Sequence, residues 1–307
     1  MLKKMTFILC GILVLILSPM SILSQQGTDL FLIQITSDGE KLVFSNSVKI
    51  NETDGYNNQP FFHPDGVSLF YSSGVGSNTD IYRYNIETGK TIRLTDTPDS
   101  EYSPTVMLDG KQFSVIQLVL SEGPREGAQP LVAFPIDGGQ PELIYEDGEK
   151  VGYHAWIDPD NVAMFLLGSP NFLQIVNIKD LTSLCVADNI GRSLYKIPNQ
   201  EAISFSLSKE DGSNIIMRYN LKTRKTETIV SMLDGNNFYA WTSSGMLVMG
   251  VGSKLYGFRP EVDKDWQYIW DLNELGIKNI SRLAVHPKTL WIAVVSSQST
   301  GSMSFRN

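Results

Sequence analysis

The chain repeats itself, and the repeat restricts the possible folds more than any other feature. Gln59-Pro60-Phe61-Phe62-His63-Pro64-Asp65-Gly66 is matched by Ser103-Pro104-Thr105-Val106-Met107-Leu108-Asp109-Gly110. A looser copy reads His154-Ala155-Trp156-Ile157-Asp158-Pro159-Asp160-Asn161. Tyr239-Ala240-Trp241 repeats the middle of that copy, and Arg282-Leu283-Ala284-Val285-His286-Pro287 repeats the first. A second element recurs as Thr28-Asp29-Leu30-Phe31 and Thr79-Asp80-Ile81-Tyr82. The Asp-Gly pairs suit tight strand-to-strand turns, which need the positive φ that Gly, Asn and Asp accept. Runs of apolar and β-branched residues flank them, as at 67–71 and 112–120, and these read as strands. The one helical candidate, 272–277, is too short to shape a fold.

Strand pairs of the first kind begin near Asn58, Tyr102, Tyr153, Arg192, Phe238 and Ser281. Pairs of the second kind begin near Asp80, Gln129, Phe172, Ile215 and Lys254. The missing second pair lies at the other end of the chain, at 29–44. A ring closed by N-terminal strands pairing with C-terminal strands requires this arrangement. Residues 30–35 are therefore expected in one sheet with residues 290–295. Dividing residues 25–307 among six units gives about 47 residues each, the size of a four-stranded blade. The expected fold is all-β, a six-bladed β-propeller.

Pro60-x-x-His63-Pro64-Asp65-Gly66, then Leu69-x-Tyr71-x-Ser73, Asp80-Ile81-Tyr82, Thr88-Gly89 and Arg93-Leu94-Thr95, resemble the TolB-type β-propeller repeat. The match is clear over 57–110 and weakens afterwards. The resemblance implies an extracytoplasmic six-bladed propeller. It carries no activity with it, because such repeats serve scaffold proteins, the propeller domains of peptidases and a few lyases. The separate N-terminal α/β domain of TolB is not expected here, since the repeats begin almost at the cleavage site described next.

Residues 1–24 read as a signal peptide. Lys3 and Lys4 precede an uncharged apolar run at 7–17, Ser18-Pro19 breaks it, and Ser21-Ile22-Leu23-Ser24 offers a cut. A membrane span needs about 20 apolar residues, so no stable span is expected after cleavage, and the mature chain 25–307 is expected in the periplasm or outside the cell. Losing Lys3 and Lys4 takes the formal charge from −8 to −10. So acidic a chain lacks the basic clusters that nucleic acid and anionic membranes need. Cys10 sits too early in the apolar run, and behind Leu9, to be a lipidated cysteine. Cys185 is then the single mature cysteine, and its apolar setting, Ser183-Leu184-Cys185-Val186-Ala187, predicts a buried thiol.

Catalytic and cofactor motifs do not emerge. There is no G-x-S-x-G nucleophile elbow. Gly74-Val75-Gly76 and Gly250-Val251-Gly252 lack the third Gly and the helix of a nucleotide loop. His63 and His286 share one register, just before a turn. His154 takes the register of Gln59 and Ser103, four residues and about 13 Å away, so one metal ion cannot hold all three. No calcium loop is present. No cofactor is expected.

One constellation remains. Aligned starts of the innermost strands place Gln59, Ser103, His154, Ser193, Tyr239 and Arg282 around one channel mouth, each preceded by Asn58, Tyr102, Tyr153, Arg192, Phe238 or Ser281. The candidate ligand-binding residues are Arg192, Arg282, His154, Tyr153, Tyr102 and Tyr239. Two guanidiniums among aromatic faces suit an anionic or sugar-like ligand. The same groups could instead bond loop backbones and channel water. A one-residue slip would turn a side chain to the opposite face. Two functions fit. One is a non-catalytic binding module for a protein partner or small anionic ligand. The other is a lyase or hydrolase acting on an anionic glycan, in which Arg192 and Arg282 hold a carboxylate and His154 or Tyr153 moves a proton.

Overall fold

The computed structural model describes residues 27–38, 41–75, 78–235 and 237–297; the signal-peptide segment lies outside them. The described chain forms six four-stranded antiparallel sheets. Their inner strands are Tyr56–Phe62, Ser100–Val106, Lys150–Trp156, Ile190–Lys196, Tyr239–Trp241 and Ile280–Val285. These define blades one to six in that order.

Blade six is a composite. Its inner strand pairs with Trp291–Ser297, which pairs with Thr28–Asp38, which pairs with Lys41–Lys49 at the outer edge. Leu30 sits opposite Val295, Ile33 opposite Ile292 and Gln34 opposite Trp291. The ring thus closes through the two ends of the chain, as the strand count requires, and closure removes the two exposed sheet edges an open array would carry.

The seam is reinforced by buried polar groups. The Asn57 amide nitrogen donates to the carbonyls of Thr28, Thr53 and Gly55 at 2.9, 3.0 and 3.1 Å. Its oxygen accepts from the hydroxyls of Thr53 and Ser73 at 3.0 and 2.7 Å. Next to it, Asn51 accepts from the Leu30 N–H at 2.8 Å.

Buried apolar side chains fall into six clusters, each spanning two neighbouring blades. Phe70 and Ile81 of blade one, for example, pack on Val106, Phe113 and Phe134 of blade two. Second strands are buried on both faces, and so read as continuous apolar runs such as Val162-Ala163-Met164-Phe165-Leu166. The 272–277 segment supplies only one 3-10 turn, Leu272–Leu275, ended by Gly276 in the left-handed conformation. No helix among the described residues is long and apolar enough to cross a membrane.

Cys185 departs from expectation. It is exposed, on the outermost strand Ser183–Asp188 of blade three. An edge strand has no outer neighbour to cover it, so Cys185 and Leu184 face solvent, while Val186 and Ala187 after them are partly buried against the neighbouring core.

Candidate functional site

Five of the six inner strands carry a break in pairing register near their starts, between Asn58 and Phe61, Tyr102 and Thr105, Val151 and Tyr153, Ile190 and Leu194, and Ile280 and Arg282. A bulge leaves a residue outside the ladder and re-aims its side chain. At Gln59 and Ser103 the backbone turns left-handed, with φ of 56° at both. Polar residues are thereby gathered at one height along the central channel.

The hairpin after each inner strand fixes which residues share that height. The first pairing bond beyond the strand spans five residues in four blades: His63 N to Ser68 O, Met107 N to Gln112 O, Ile197 N to Ala202 O and His286 N to Trp291 O. It spans four in blades three and five: Ile157 N to Asn161 O and Thr242 N to Met246 O. Counted from these bonds, the equivalent residues are Gln59, Ser103, Tyr153, Ser193, Phe238 and Arg282. The sequence alignment is therefore one residue out in blades three and five. His154 and Tyr239 belong to the next position and turn to the other face of their sheets.

Both pack against the preceding blade. His154 Nε2 lies 2.6 Å from Ser114 Oγ, which also accepts from Trp156 Nε1 at 2.9 Å. Burial pushes the His154 imidazole down to about 3, so it is neutral. Tyr239 is fully buried and donates to Ser204 Oγ at 3.0 Å, where Trp241 Nε1 also donates at 2.8 Å. One device thus occurs twice: a second-strand serine tied to two inner-strand side chains of the following blade. His286 is likewise engaged between blades. Its Nδ1 accepts from the Lys288 N–H at 3.0 Å, so its Nε2 carries the proton and donates to Gly66 O at 2.9 Å.

The remaining candidates do converge. Arg282 of blade six reaches across the axis to blade three, where its Nη2 donates to Tyr153 Oη at 3.1 Å. Its guanidinium carbon stands 3.9 Å from the centre of the Phe238 ring and 5.1 Å from that of Tyr153. Gln59 completes the arrangement. Its Oε1 accepts from Ser72 Oγ and from the Ser103 N–H, both at 2.9 Å. Tyr153 Oη accepts from Arg282 and keeps its own hydrogen to donate. Tyr102 lies further round, with its ring 6.0 Å from that of Tyr56 and its hydroxyl accepting from Thr79 at 3.3 Å. Tyr56 and Tyr195 also stand in the field of Arg282, and burial raises both phenols. The sequence alignment missed these two. Tyr195 follows Ser193 by the strand period of two, which is the signal that could have found it.

Electrostatically the channel is one-sided. No carboxylate lies within ion-pair distance of Arg192 or Arg282 among the described residues. Arg282 Nε and Ser103 Oγ are buried without a hydrogen-bond partner. Burial alone would raise the Tyr153 phenol, but Arg282, with help from Arg192 and Gln59, brings it below the ordinary tyrosine value. A cavity of about 390 Å³ adjoins this cluster and is lined by Arg282, Arg192, Tyr153 and Gln59. Its lining runs on from Ser103 to Val106, with Leu108, and from Tyr153 to Ile157. It therefore occupies the half of the channel where the inner strands end, with the Arg282–Tyr153 contact as its floor.

No family model matches the chain. Over 80 residues it is 34% identical to the Tol-Pal system protein TolB of Francisella tularensis subsp. tularensis, a match covering 26% of this chain and 18% of that protein. The chain thus spans less than a fifth of the curated relatives it matches. Among solved structures, a protein from Agrobacterium tumefaciens assigned as TolB superposes with a TM-score of 0.65 at 14% identity, over 89% of this chain and 99% of that one. TolB from Acinetobacter baumannii superposes at 0.57 and 10% identity, over 89% and 64%. Oligogalacturonate lyase from Vibrio parahaemolyticus superposes at 0.56 and 14% identity, over 84% of each chain. These likenesses establish the propeller fold. An oligogalacturonate lyase has also been solved with manganese. No group of three or more His, Cys, Asp or Glu side chains able to hold a metal occurs among the described residues here. The residues present do not fit that ion.

Proposed function

We propose that this chain is an exported, non-catalytic propeller that binds a small anionic ligand in its central channel, with Arg282 and Arg192 as the charged contacts. The observation that carries this reading is the state of Arg282. Its guanidinium is drawn into the channel by two aromatic faces and a neutral hydroxyl, and no carboxylate balances it. A partly buried cation without a counter-ion is unfavourable until an anion joins it. The polar residues at the floor of the cavity, Arg282, Arg192, Ser103 and Tyr153, all carry hydrogen-bond donors. Export to the periplasm or beyond, with residues 1–24 as the leader, fits the TolB-like fold and the apolar run at 7–17. A protein partner would meet the rim of the same channel.

Calorimetric titration of small carboxylates against their uncharged amides tests the reading. Carboxylates are expected to bind more tightly, and Arg282→Gln to weaken them by about 10–100-fold, the worth of one charged hydrogen bond. Arg282→Lys should restore only part, because an ammonium cannot reproduce the planar fork. Equal binding of acids and amides would refute it. One observation favours a lyase instead, the lowered Tyr153 phenol beside Arg282. Release of unsaturated uronides from a galacturonan, lost in Tyr153→Phe, would establish that alternative.

A further inference from the structure

The cavity gathers its cationic and unpartnered donors at the floor and is mostly apolar above it, apart from Lys196 near the rim, and the geometry points to a ligand built the same way: a single carboxylate on an unbranched apolar chain, of the medium-chain fatty-acid class. This rests on the anion-binding reading and narrows it. At the floor stand Arg282, Arg192, Tyr153 and Ser103. Beyond them the open lining is mostly apolar, with Pro60, Phe61, Pro104 and Ile157, and with Leu108 at the rim, 59% exposed, while Val106, Leu194 and Leu283 adjoin it from the cores between blades.

Polar side chains along this stretch are few, namely Thr105, His154, Tyr195 and Lys196. Thr105 Oγ1 donates to the Ser103 carbonyl at 3.4 Å, and the Lys196 ammonium donates to the Gln200 carbonyl. His154 is tied to Ser114 through Nε2, and its Nδ1 is buried without a partner, out of reach of the cavity. Pro60 and Pro104 remove two backbone N–H groups from the wall.

That wall discriminates among anions. A uronic acid or an oligogalacturonide would bring several hydroxyls against a mostly apolar lining, where most would be left without a partner. An extended peptide would bury amides in the same way. A hydrocarbon chain asks for no partners and gains from every methylene it buries.

The length agrees as well. From Tyr153 to Ile157 the strand advances four residues, about 13 Å at 3.3 Å each. An extended chain gains about 3.3–3.6 Å per three bonds, so roughly eleven bonds fill the distance, about the length of decanoate.

The test uses the full mature chain and calorimetric titration with butanoate, hexanoate, octanoate and decanoate, beside galacturonate, trigalacturonate and decan-1-ol. Affinity is expected to rise about fourfold per methylene up to decanoate, with galacturonate weaker than octanoate and decan-1-ol weaker than decanoate. Arg282→Gln should weaken decanoate at least tenfold and leave decan-1-ol unchanged. Leu108→Asp, an exposed rim change that spares the fold, should weaken decanoate and not butanoate. If the galacturonates bind and decanoate does not, the apolar-chain inference falls while the anion site stands. If no carboxylate binds, both fall. If acid and alcohol bind alike in both proteins, the contact is nonspecific, which also overturns both.

Discussion

Replacing Asn57 by Ala should cost this propeller more than any other single polar substitution at the ring seam. The side chain is fully buried and makes five hydrogen-bond contacts, its two amide hydrogens shared among three carbonyls and its oxygen accepting from two hydroxyls. One joins blade one to Thr28, at the start of the N-terminal strand that completes blade six, and the others tie Asn57 to Thr53 and Gly55 in the connecting loop and to Ser73 of blade one. Alanine abolishes all five, while the backbone bonds between Asn57 and the Thr28 hydroxyl survive, at 2.8 and 3.0 Å. At about 1 kcal/mol for each buried bond, with some rehydration of the freed groups, the expected loss is about 3–5 kcal/mol. That is a large part of the roughly 5–15 kcal/mol available to a folded domain. Urea unfolding followed by tryptophan fluorescence reads it as a lowered midpoint at constant m-value. Asn57→Asp refines the test at constant volume. Its carboxylate would face three carbonyl oxygens, so it should be worse than Ala at pH 8 and partly relieved at pH 4, where the acid can donate again. A loss below about 1 kcal/mol for Ala, or an Asp variant indifferent to pH, would show that the seam does not depend on this amide.

The architecture was legible because it rests on turn chemistry and counting. Asp65-Gly66 and Asp109-Gly110 announce their hairpins, and six first pairs against five second pairs leave one place for the N-terminal strands. The channel was legible only in part. In blades three and five a shorter hairpin moves the register by one. In blade three the Asp158 carboxylate, accepting from the Asp160 and Asn161 N–H groups at 2.9 Å each, draws the turn in. Aligning by residue type therefore chose His154 and Tyr239 where the structure puts Tyr153 and Phe238. Arg282 was aligned correctly, but its reach across the axis to Tyr153 depends on the ring's diameter, which no local pattern encodes. Cys185 was misplaced because an apolar run on an outermost strand looks, in one dimension, like a buried one.

Gly66→Ala should destabilise the junction of blades six and one by at least about 2 kcal/mol, read as a lowered unfolding midpoint. The position has φ of +76°, and a Cβ there would lie 2.7 Å from His286 Nε2; a neutral outcome would mean the two blades can part at no cost. Exported protein is expected to begin near Gln25, and N-terminal sequencing that finds Met1 would remove the leader reading. The last expectation sets two buried groups against each other as pH falls. Burial holds His154 at about 3 against an ordinary 6.5, so the unfolded chain binds the extra proton between those values and His154 costs stability as pH falls through that window. Glu101, fully buried with Oε2 unpartnered, is raised by burial from 4.5 to about 7. Here the native state binds the extra proton, so its contribution is complete at low pH and is lost as pH rises through about 7. Between pH 4.5 and 6.5 the two slopes, each about 1.4 kcal/mol per pH unit, oppose and largely cancel. Glu101→Gln should therefore lose stability relative to wild type as pH falls from 7 to 4.5. His154→Gln should gain relative to wild type from pH 6.5 downward. Urea midpoints for the three proteins across pH 4–7.5 decide it, and offsets that stay parallel over that range would mean that neither group titrates as its burial requires.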